Sequence, residues 1–163
     1  MRTVGVFAWG VGLIEGEGQR IQLTAPAISE EDQLSPVLPR QYRCNACQGV
    51  RHKLQAASGK MRKPSEIALT EAYEKTCHWK TFQGYGISMI NGRNVLTGPG
   101  IETEKDTGNG MGSIQMGGEM WGRRLGGLCT EIVEEVGEME IFERLKKSGG
   151  FCDAFCSVPN LEL

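Results

Sequence analysis

The chain has 163 residues, and its 18 lysines and arginines nearly balance its 20 aspartates and glutamates. This balance excludes the strongly basic surface that marks most nucleic-acid-binding domains, and the length fits one domain with flexible ends. There are 23 glycines, many of them between Gly84 and Gly127, which indicates a loop-rich middle and a core of modest size.

The first 40 residues are predicted to lie outside the folded domain. An apolar run over residues 4–14 follows Arg2 and has the length of a signal peptide, but Glu15-Gly16-Glu17 stands where a small-residue cleavage site is expected. The alternative is a non-native start that replaces the true leader. The run is too short to span a membrane as a helix. Residues 15–40 have little apolar periodicity, which predicts a disordered lead-in.

Apolar periodicity predicts four helices, two on each side of the glycine-rich middle. The first covers residues 42–57, and the second begins at Ser65 with charges that suit the helix dipole. The third covers residues 121–136 and is followed by Gly137, and the fourth covers residues 138–147 with Gly149-Gly150 shortly after it. These helices make the predicted fold mainly α.

The middle of the chain predicts little regular structure. Asn91-Gly92 lies between two short apolar runs, which is a strong signal for a two-residue β-hairpin turn. Residues 98–120 are rich in glycine and lack the Lys-Ser/Thr ending of a phosphate-binding loop, so they predict a flexible loop. The predicted organisation is thus a domain at residues 41–157 with one small hairpin, followed by a C-terminal tail at residues 158–163.

Six cysteines are the most informative feature of the chain. An even number of cysteines indicates a disulfide framework, although spacing alone does not fix the pairing. A C-x-x-C pair on one helix face can meet the C-x-x-x-C pair near the C-terminus, which leaves the two middle cysteines to meet each other. In chain order the six are Cys44, Cys47, Cys77, Cys129, Cys152 and Cys156.

Two other roles for the cysteines are weaker. A zinc site formed by the two close pairs would need four thiolates, and the two histidines, His52 and His78, are not in zinc-finger spacing. A thioredoxin-type site would place C-x-x-C after a β-strand, but no strand-like run precedes Cys44. Structural disulfides are therefore favoured, and they require an oxidising compartment.

Several of these residues resemble the Canopy family of saposin-like proteins. The resemblance lies in Arg43-Cys44-Asn45-Ala46-Cys47 at a helix start, in Cys77 at the end of the next helix, and in Leu128-Cys129 followed by acidic residues. The segment Leu96-Thr97-Gly98-Pro99-Gly100 strengthens it. The resemblance covers roughly residues 40–156, most of the predicted domain.

The resemblance implies a saposin-like, disulfide-braced helical domain with the bridges Cys44–Cys156, Cys47–Cys152 and Cys77–Cys129. Members of the family space their last two cysteines more widely, so the alternative is an extra, unpaired Cys152. The pairing of Cys152 and Cys156 therefore stays open at this point.

The resemblance also implies a function. The expected protein is a non-enzymatic co-chaperone of the endoplasmic reticulum (ER) lumen, with secretion as the alternative location. Its expected partners are endoplasmin, the heat-shock-90-type chaperone of the ER, and immunoglobulin heavy chains. Its expected role is in immunoglobulin M assembly and secretion in B-lineage cells, with a link to calcium homeostasis and no cofactor.

The residues themselves suggest where a partner would bind. Methionine adapts to varied partners, so we predict a partner-binding surface at apolar residues of the glycine-rich loop; the alternative is that they fold back onto the core. They are Met111, Ile114, Met116, Met120 and Trp121.

Other functions receive less support from the sequence. The leading alternative is a thiol–disulfide oxidoreductase, or a factor that captures clients as mixed disulfides, acting through Cys44 and Cys47. Lipid binding is weaker, because no helix has a strongly basic amphipathic face. No catalytic triad or metal-ligand motif is visible, so neither catalysis nor a metal is predicted. A group of acidic residues favours a solvated helix face rather than a calcium site: Glu131, Glu134, Glu135, Glu138 and Glu140.

Overall fold

The computed structural model describes residues 23–105, 112–148 and 150–156. The predicted leader, Met111 and the predicted tail lie outside these residues. The six α-helices described are α1 (Glu30–Leu34), α2 (Arg43–Ser58), α3 (Glu66–Cys77), α4 (Glu119–Val136), α5 (Glu138–Lys146) and α6 (Asp153–Cys156). The five strands described are β1 (Leu23–Thr24), β2 (Gly86–Ile90), β3 (Arg93–Thr97), β4 (Gly112–Ser113) and β5 (Met116–Gly117). The prediction of a mainly α fold is confirmed.

Local capping explains why the helices begin and end where they do. The Ser65 hydroxyl accepts a hydrogen bond from the Ala68 N–H at 3.2 Å and caps α3, a contact typically worth about 1 kcal/mol. Gly137, with a φ of 87°, ends α4 and precedes α5. Its N–H donates to the Val133 carbonyl at 2.9 Å, so one glycine both terminates a helix and turns the chain into the next.

The core lies where α2, α3, α4 and α5 meet the small sheet. Its members come from all of these elements, as the alternation of apolar and polar residues along the helices predicts. The largest fully buried side chains are Tyr73, Tyr85, Phe82, Leu54, Leu69, Ile87, Leu96, Leu125, Ile132, Ile141, Val50 and Cys47. No helix in the described part of the chain is long and apolar enough to cross a membrane.

The predicted hairpin is present, but it is part of a three-stranded sheet. Strands β2 and β3 pair antiparallel around Asn91 and Gly92, whose positive φ values of 50° and 76° fit the two-residue turn. Strand β5 then pairs antiparallel with the other edge of β2. A Cβ on Gly86 would lie 2.5 Å from the Met116 carbonyl oxygen, so this strand pairing requires glycine there.

The glycine-rich segment is therefore more ordered than predicted. Its residues 112–117 include β4 and β5, and β4 pairs parallel with β1. The prediction of a flexible loop throughout residues 98–120 is wrong for this part. A two-residue strand has too short a pattern to be recognised by alternation, and it forms here because β2 offers an unpaired edge.

The segment before α2 also differs from the prediction of a disordered lead-in. In the described part, Ile28 and Leu38 pack against the core. The buried Arg124 guanidinium donates to the Ser35 carbonyl, with Nε–O at 2.9 Å, and also to the Asp32 carbonyl. Part of the segment is thus bound through backbone carbonyls, and such contacts do not appear as apolar periodicity in the sequence.

Candidate functional site

Two disulfides join the start of α2 to α6 and to the residue that precedes α6. Cys44 is bonded to Cys156 and Cys47 to Cys152, with sequence separations of 112 and 105 residues. Cys44 and Cys47 are one helical turn apart, and Cys152 and Cys156 are also one turn apart, so two neighbouring bridges can form between the same two segments. These two bonds are called the outer bridges below.

The third disulfide joins α3 to α4. Cys77 at the end of α3 is bonded to Cys129 in the middle of α4, across a separation of 52 residues. These three pairs are the ones that the resemblance implies. Because every cysteine sulfur is bonded to another, the chain has no free thiol and no thiolate to bind zinc. Among the described residues no group of three or more His, Cys, Asp or Glu side chains could hold a metal ion.

The cysteines differ in accessibility. Cys47 and Cys129 are fully buried and Cys152 is 8% exposed, whereas Cys156 is exposed and Cys44 is half-buried. The Cys44–Cys156 bond thus joins the more exposed residues of the two outer bridges.

The predicted partner-binding residues that the structure describes differ in their exposure. Trp121 is buried at 6% exposure, with its ring 5.6 Å from that of Tyr42 and the Arg124 guanidinium 4.5 Å from its centroid. It is a core residue. Met116 and Met120 are half-buried, while Ile114 is 41% exposed between β4 and β5. Met111 lies outside the described residues.

The Leu96–Gly100 segment packs against the core residue Tyr85. The Tyr85 hydroxyl donates to the Pro99 carbonyl at 2.6 Å, with the Gly49 carbonyl 3.3 Å away. A Cβ on Gly98, where φ is 154°, would lie 2.3 Å from the Tyr85 ring, and one on Gly49 would lie 2.7 Å from it. Burial raises the pKa of Tyr85 to about 12. The segment that strengthens the family resemblance therefore serves packing around one buried tyrosine.

A groove between α3, α4 and the start of α5 was not predicted from the sequence. Its volume is about 310 Å³, and we call it the α3–α5 groove. The one sequence feature that could have indicated the groove is the acidic run on α4 and α5. This run fits a solvated helix face equally well, and it does not show that α3 lies beside it. The groove is lined by Thr70, Tyr73, Glu74, Cys77, His78, Thr130, Val133, Glu134 and Glu138.

A second cavity, of about 290 Å³, lies between α2 and residues 100–102. Its lining is polar, and the His52 side chain packs against Gly100, where a Cβ would come within 2.2 Å of it. It is lined by Gln48, Arg51, His52, Gln55, Gly100 and Glu102.

Comparison with known proteins gives similarity over most of the chain. No family model matches. Proteins named marginal zone B- and B1-cell-specific protein are similar to this chain at the level of a family. The human one is 27% identical over 93% of this chain and 85% of its own length. The Bos taurus one is 29% identical with the same coverage, and the Mus musculus one is 28% identical over 83% of this chain and 77% of its own length.

These matches confirm the more specific likeness that the Leu96–Gly100 segment suggests, which is to marginal zone B and B1 cell-specific protein. The Canopy and saposin-like assignments stay predictions. The three disulfides and the helical fold are consistent with a disulfide-braced helical domain.

Proposed function

We propose that this protein is a non-enzymatic co-chaperone of the ER lumen that supports immunoglobulin M assembly and secretion. The observation that carries the proposal is the similarity, over 93% of the chain, to proteins named for marginal zone B and B1 cells. Those B-lineage cells secrete immunoglobulin, so a helper of antibody folding suits them. The proposed partners are an endoplasmin-type chaperone and immunoglobulin heavy chains, with a further link to calcium homeostasis.

The disulfides support the proposed location. Three bridges, two of which span more than a hundred residues, form and persist in oxidising compartments such as the ER lumen. They join α2 to the segment Cys152–Cys156 and α3 to α4, which suits a protein that binds through a stable surface. Secretion from the cell is the alternative location within the same oxidising route.

The proposal is tested with the full-length chain carrying an epitope tag. The chain is expressed in B-lineage cells of its own species, after the cells' own protein of this kind has been removed. We expect the chain to fractionate with the ER, to co-precipitate endoplasmin and the μ heavy chain after mild crosslinking, and to raise secreted immunoglobulin M above the empty-vector level. A tagged, unrelated disulfide-rich ER protein is the control. Recovery of neither partner together with unchanged secretion would refute the proposal.

A second candidate, mixed-disulfide capture of client proteins, is favoured by the exposure of Cys156 in the Cys44–Cys156 bond. A client thiolate that attacks Sγ of exposed Cys156 would form a mixed disulfide and release Cys44 as a thiolate. Rapid acid quenching and alkylation followed by non-reducing electrophoresis would detect these adducts. If alkylated cells yield only the intramolecularly bridged chain, this candidate is excluded. Turnover as an oxidoreductase is less favoured, because Cys47 is fully buried in its own disulfide.

A further inference from the structure

The α3–α5 groove has an apolar floor. Tyr73 is fully buried, and its hydroxyl donates to the Ser58 hydroxyl on the core side at 3.1 Å. Above this buried ring, half-buried Val133 and half-buried Cys77, which is bonded to Cys129, form the accessible surface of the floor. An apolar side chain placed here would leave water without breaking any hydrogen bond that the core uses.

The rim of the groove is acidic. Glu74, Glu134 and Glu138 line it together with His78, and neither lysine nor arginine is among the lining residues that the structure describes. Glu138 is positioned from the opposite helix, because the Thr70 hydroxyl donates to its carboxylate at 3.2 Å. Glu74 and Glu134 are exposed, and within the described chain neither is in an ion pair. The other carboxylates on the outer face of α5, Glu140 and Glu143, are paired with basic residues one turn along the helix.

The size of the groove limits its ligand. A volume of about 310 Å³ is at the lower end for small-molecule sites and accommodates about two side chains of a peptide. An apolar floor beneath uncompensated carboxylates complements a peptide that carries an apolar side chain next to a lysine or arginine. A polar cation alone would leave the floor unfilled, and a purely apolar segment would leave the carboxylates unpaired.

We propose that the α3–α5 groove binds an extended peptide segment of a partner protein through an apolar residue flanked by a basic one. This inference rests on the proposed function, since it names the kind of segment that a folding factor would hold. The groove is separate from the apolar loop predicted to bind partners. Val133 lies 12 positions after Trp121 on the same helix, which at 1.5 Å per residue is about 18 Å along the axis.

Fluorescence anisotropy tests the proposal with the full-length oxidised protein and a labelled seven-residue peptide that contains a Leu-Arg pair in a Gly-Ser background. We expect binding that weakens with added salt. Replacing arginine by glutamate, or leucine by serine, should abolish it. The double substitution Glu74→Gln/Glu134→Gln should weaken binding by about three- to thirty-fold, because two ion pairs at exposed carboxylates are lost.

The matched control is Glu71→Gln/Glu135→Gln. It removes the same charge from the same two helices, at exposed residues that do not line the groove, and it should leave the affinity within twofold of the unmodified protein. Equal weakening by both double variants would show a general charge effect and overturn the proposal. Absence of wild-type binding, or equal binding of the serine peptide, would overturn it as well.

Failure of the groove proposal can be told apart from failure of the proposed function. The Glu74→Gln/Glu134→Gln variant is also tested for endoplasmin and heavy-chain recovery in cells. If the unmodified protein recovers both partners but binds no peptide, the co-chaperone proposal stands and the groove proposal falls. If the peptide binds as expected and neither partner is recovered, the groove stands and its client lies elsewhere.

Discussion

Tyr85 connects three separate segments of the chain through one side chain. Its ring fills the space left by Gly49 on α2 and by Gly98 after β3, and its hydroxyl is bonded to the Pro99 carbonyl. Because the group is fully buried and uncharged, ionising it in the folded protein is unfavourable. We therefore expect Tyr85 to make the stability of the protein depend on pH in alkaline solution.

We expect the free energy of unfolding to fall between about pH 10 and pH 12 because of Tyr85. Burial raises its folded pKa to about 12 from the ordinary value of 10.0. Its neutral form therefore contributes stability that is fully present below about pH 10 and is lost as the pH rises toward the folded pKa. The full effect is roughly 2–3 kcal/mol.

Urea unfolding of the protein and of Tyr85→Phe, from pH 8.5 to about pH 11, measures this contribution. The variant should be less stable at pH 8.5 by about 1–2 kcal/mol, because the Pro99 and Gly49 carbonyls lose this donor, but its stability should decline less steeply above pH 10. Parallel pH dependences for the two proteins would contradict the prediction. Lysines and the other tyrosines titrate in both proteins and cancel in the difference.

At the scale of elements, α4 packs unusually closely on the chain around Trp79. A Cβ on Gly122 would lie 2.6 Å from the Trp79 carbonyl oxygen, and one on Gly126 would lie 2.7 Å from the Cys77 carbonyl oxygen. These two glycines lie one turn apart on the same helix face. Without their side chains, α4 approaches near enough for Cys129 to reach Cys77.

Neighbouring glycines on α4 should therefore respond oppositely to the same substitution. Gly126→Ala should lower the free energy of unfolding by about 1–3 kcal/mol, since backbone must shift to accept the methyl group. A Cβ on Gly127 would meet nothing within 4 Å, so Gly127→Ala should raise stability by roughly 0.5–1 kcal/mol through helix propensity alone. Thermal unfolding of both oxidised variants measures the difference; a stabilising Gly126→Ala would show that the contact is not tight.

At the scale of the whole molecule, the outer bridges act as a pair. Once one of them has closed the long loop between α2 and the C-terminal segment, the other closes only a short additional ring. Their contributions to stability are therefore coupled, because each depends on whether its neighbour is present. The Cys77–Cys129 bridge closes a different loop and is coupled to the outer bridges less directly.

Removing either outer bridge should cost about 2–3 kcal/mol, whereas removing both should cost about 7 kcal/mol, more than the sum of the two single losses. The variants are Cys44→Ala/Cys156→Ala, Cys47→Ala/Cys152→Ala and the combination of all four. Denaturant unfolding of each gives the coupling energy. A combination that fails to fold agrees with the expected excess, and strict additivity would contradict the coupling.

How far the sequence predicts this molecule depends on how local each signal is. The helix bounds fall within a residue or two of the predicted ones because Ser65 and Gly137 act on adjacent backbone, and the turn at Asn91-Gly92 is equally local. Strand β5 and the segment bound by Arg124 depend on partners tens of residues away. The apolar periodicity of a segment does not show such long-range contacts.

The candidate site shows the same difference between local and long-range features. Spacing groups the cysteines into two close pairs and two single residues, and the family resemblance implies which of them are bonded. The α3–α5 groove exists only because Thr70 and Tyr73 lie opposite Val133 and Glu138 once α3 and α5 are packed. A solvated acidic helix face and an acidic groove rim have the same sequence pattern until the neighbouring helix is known.

The wide separation of the outer cysteines also has a consequence for the order of synthesis. The partner of Cys47 is made 105 residues later, which at usual translation speeds is roughly 5–20 s. Cys77 emerges well before then and is available for a wrong bond with either early thiol. The nascent chain must therefore either keep Cys44 and Cys47 reduced during this interval or exchange a temporary partner for the final one. In the second case we expect thiol-exchange catalysts to speed its maturation.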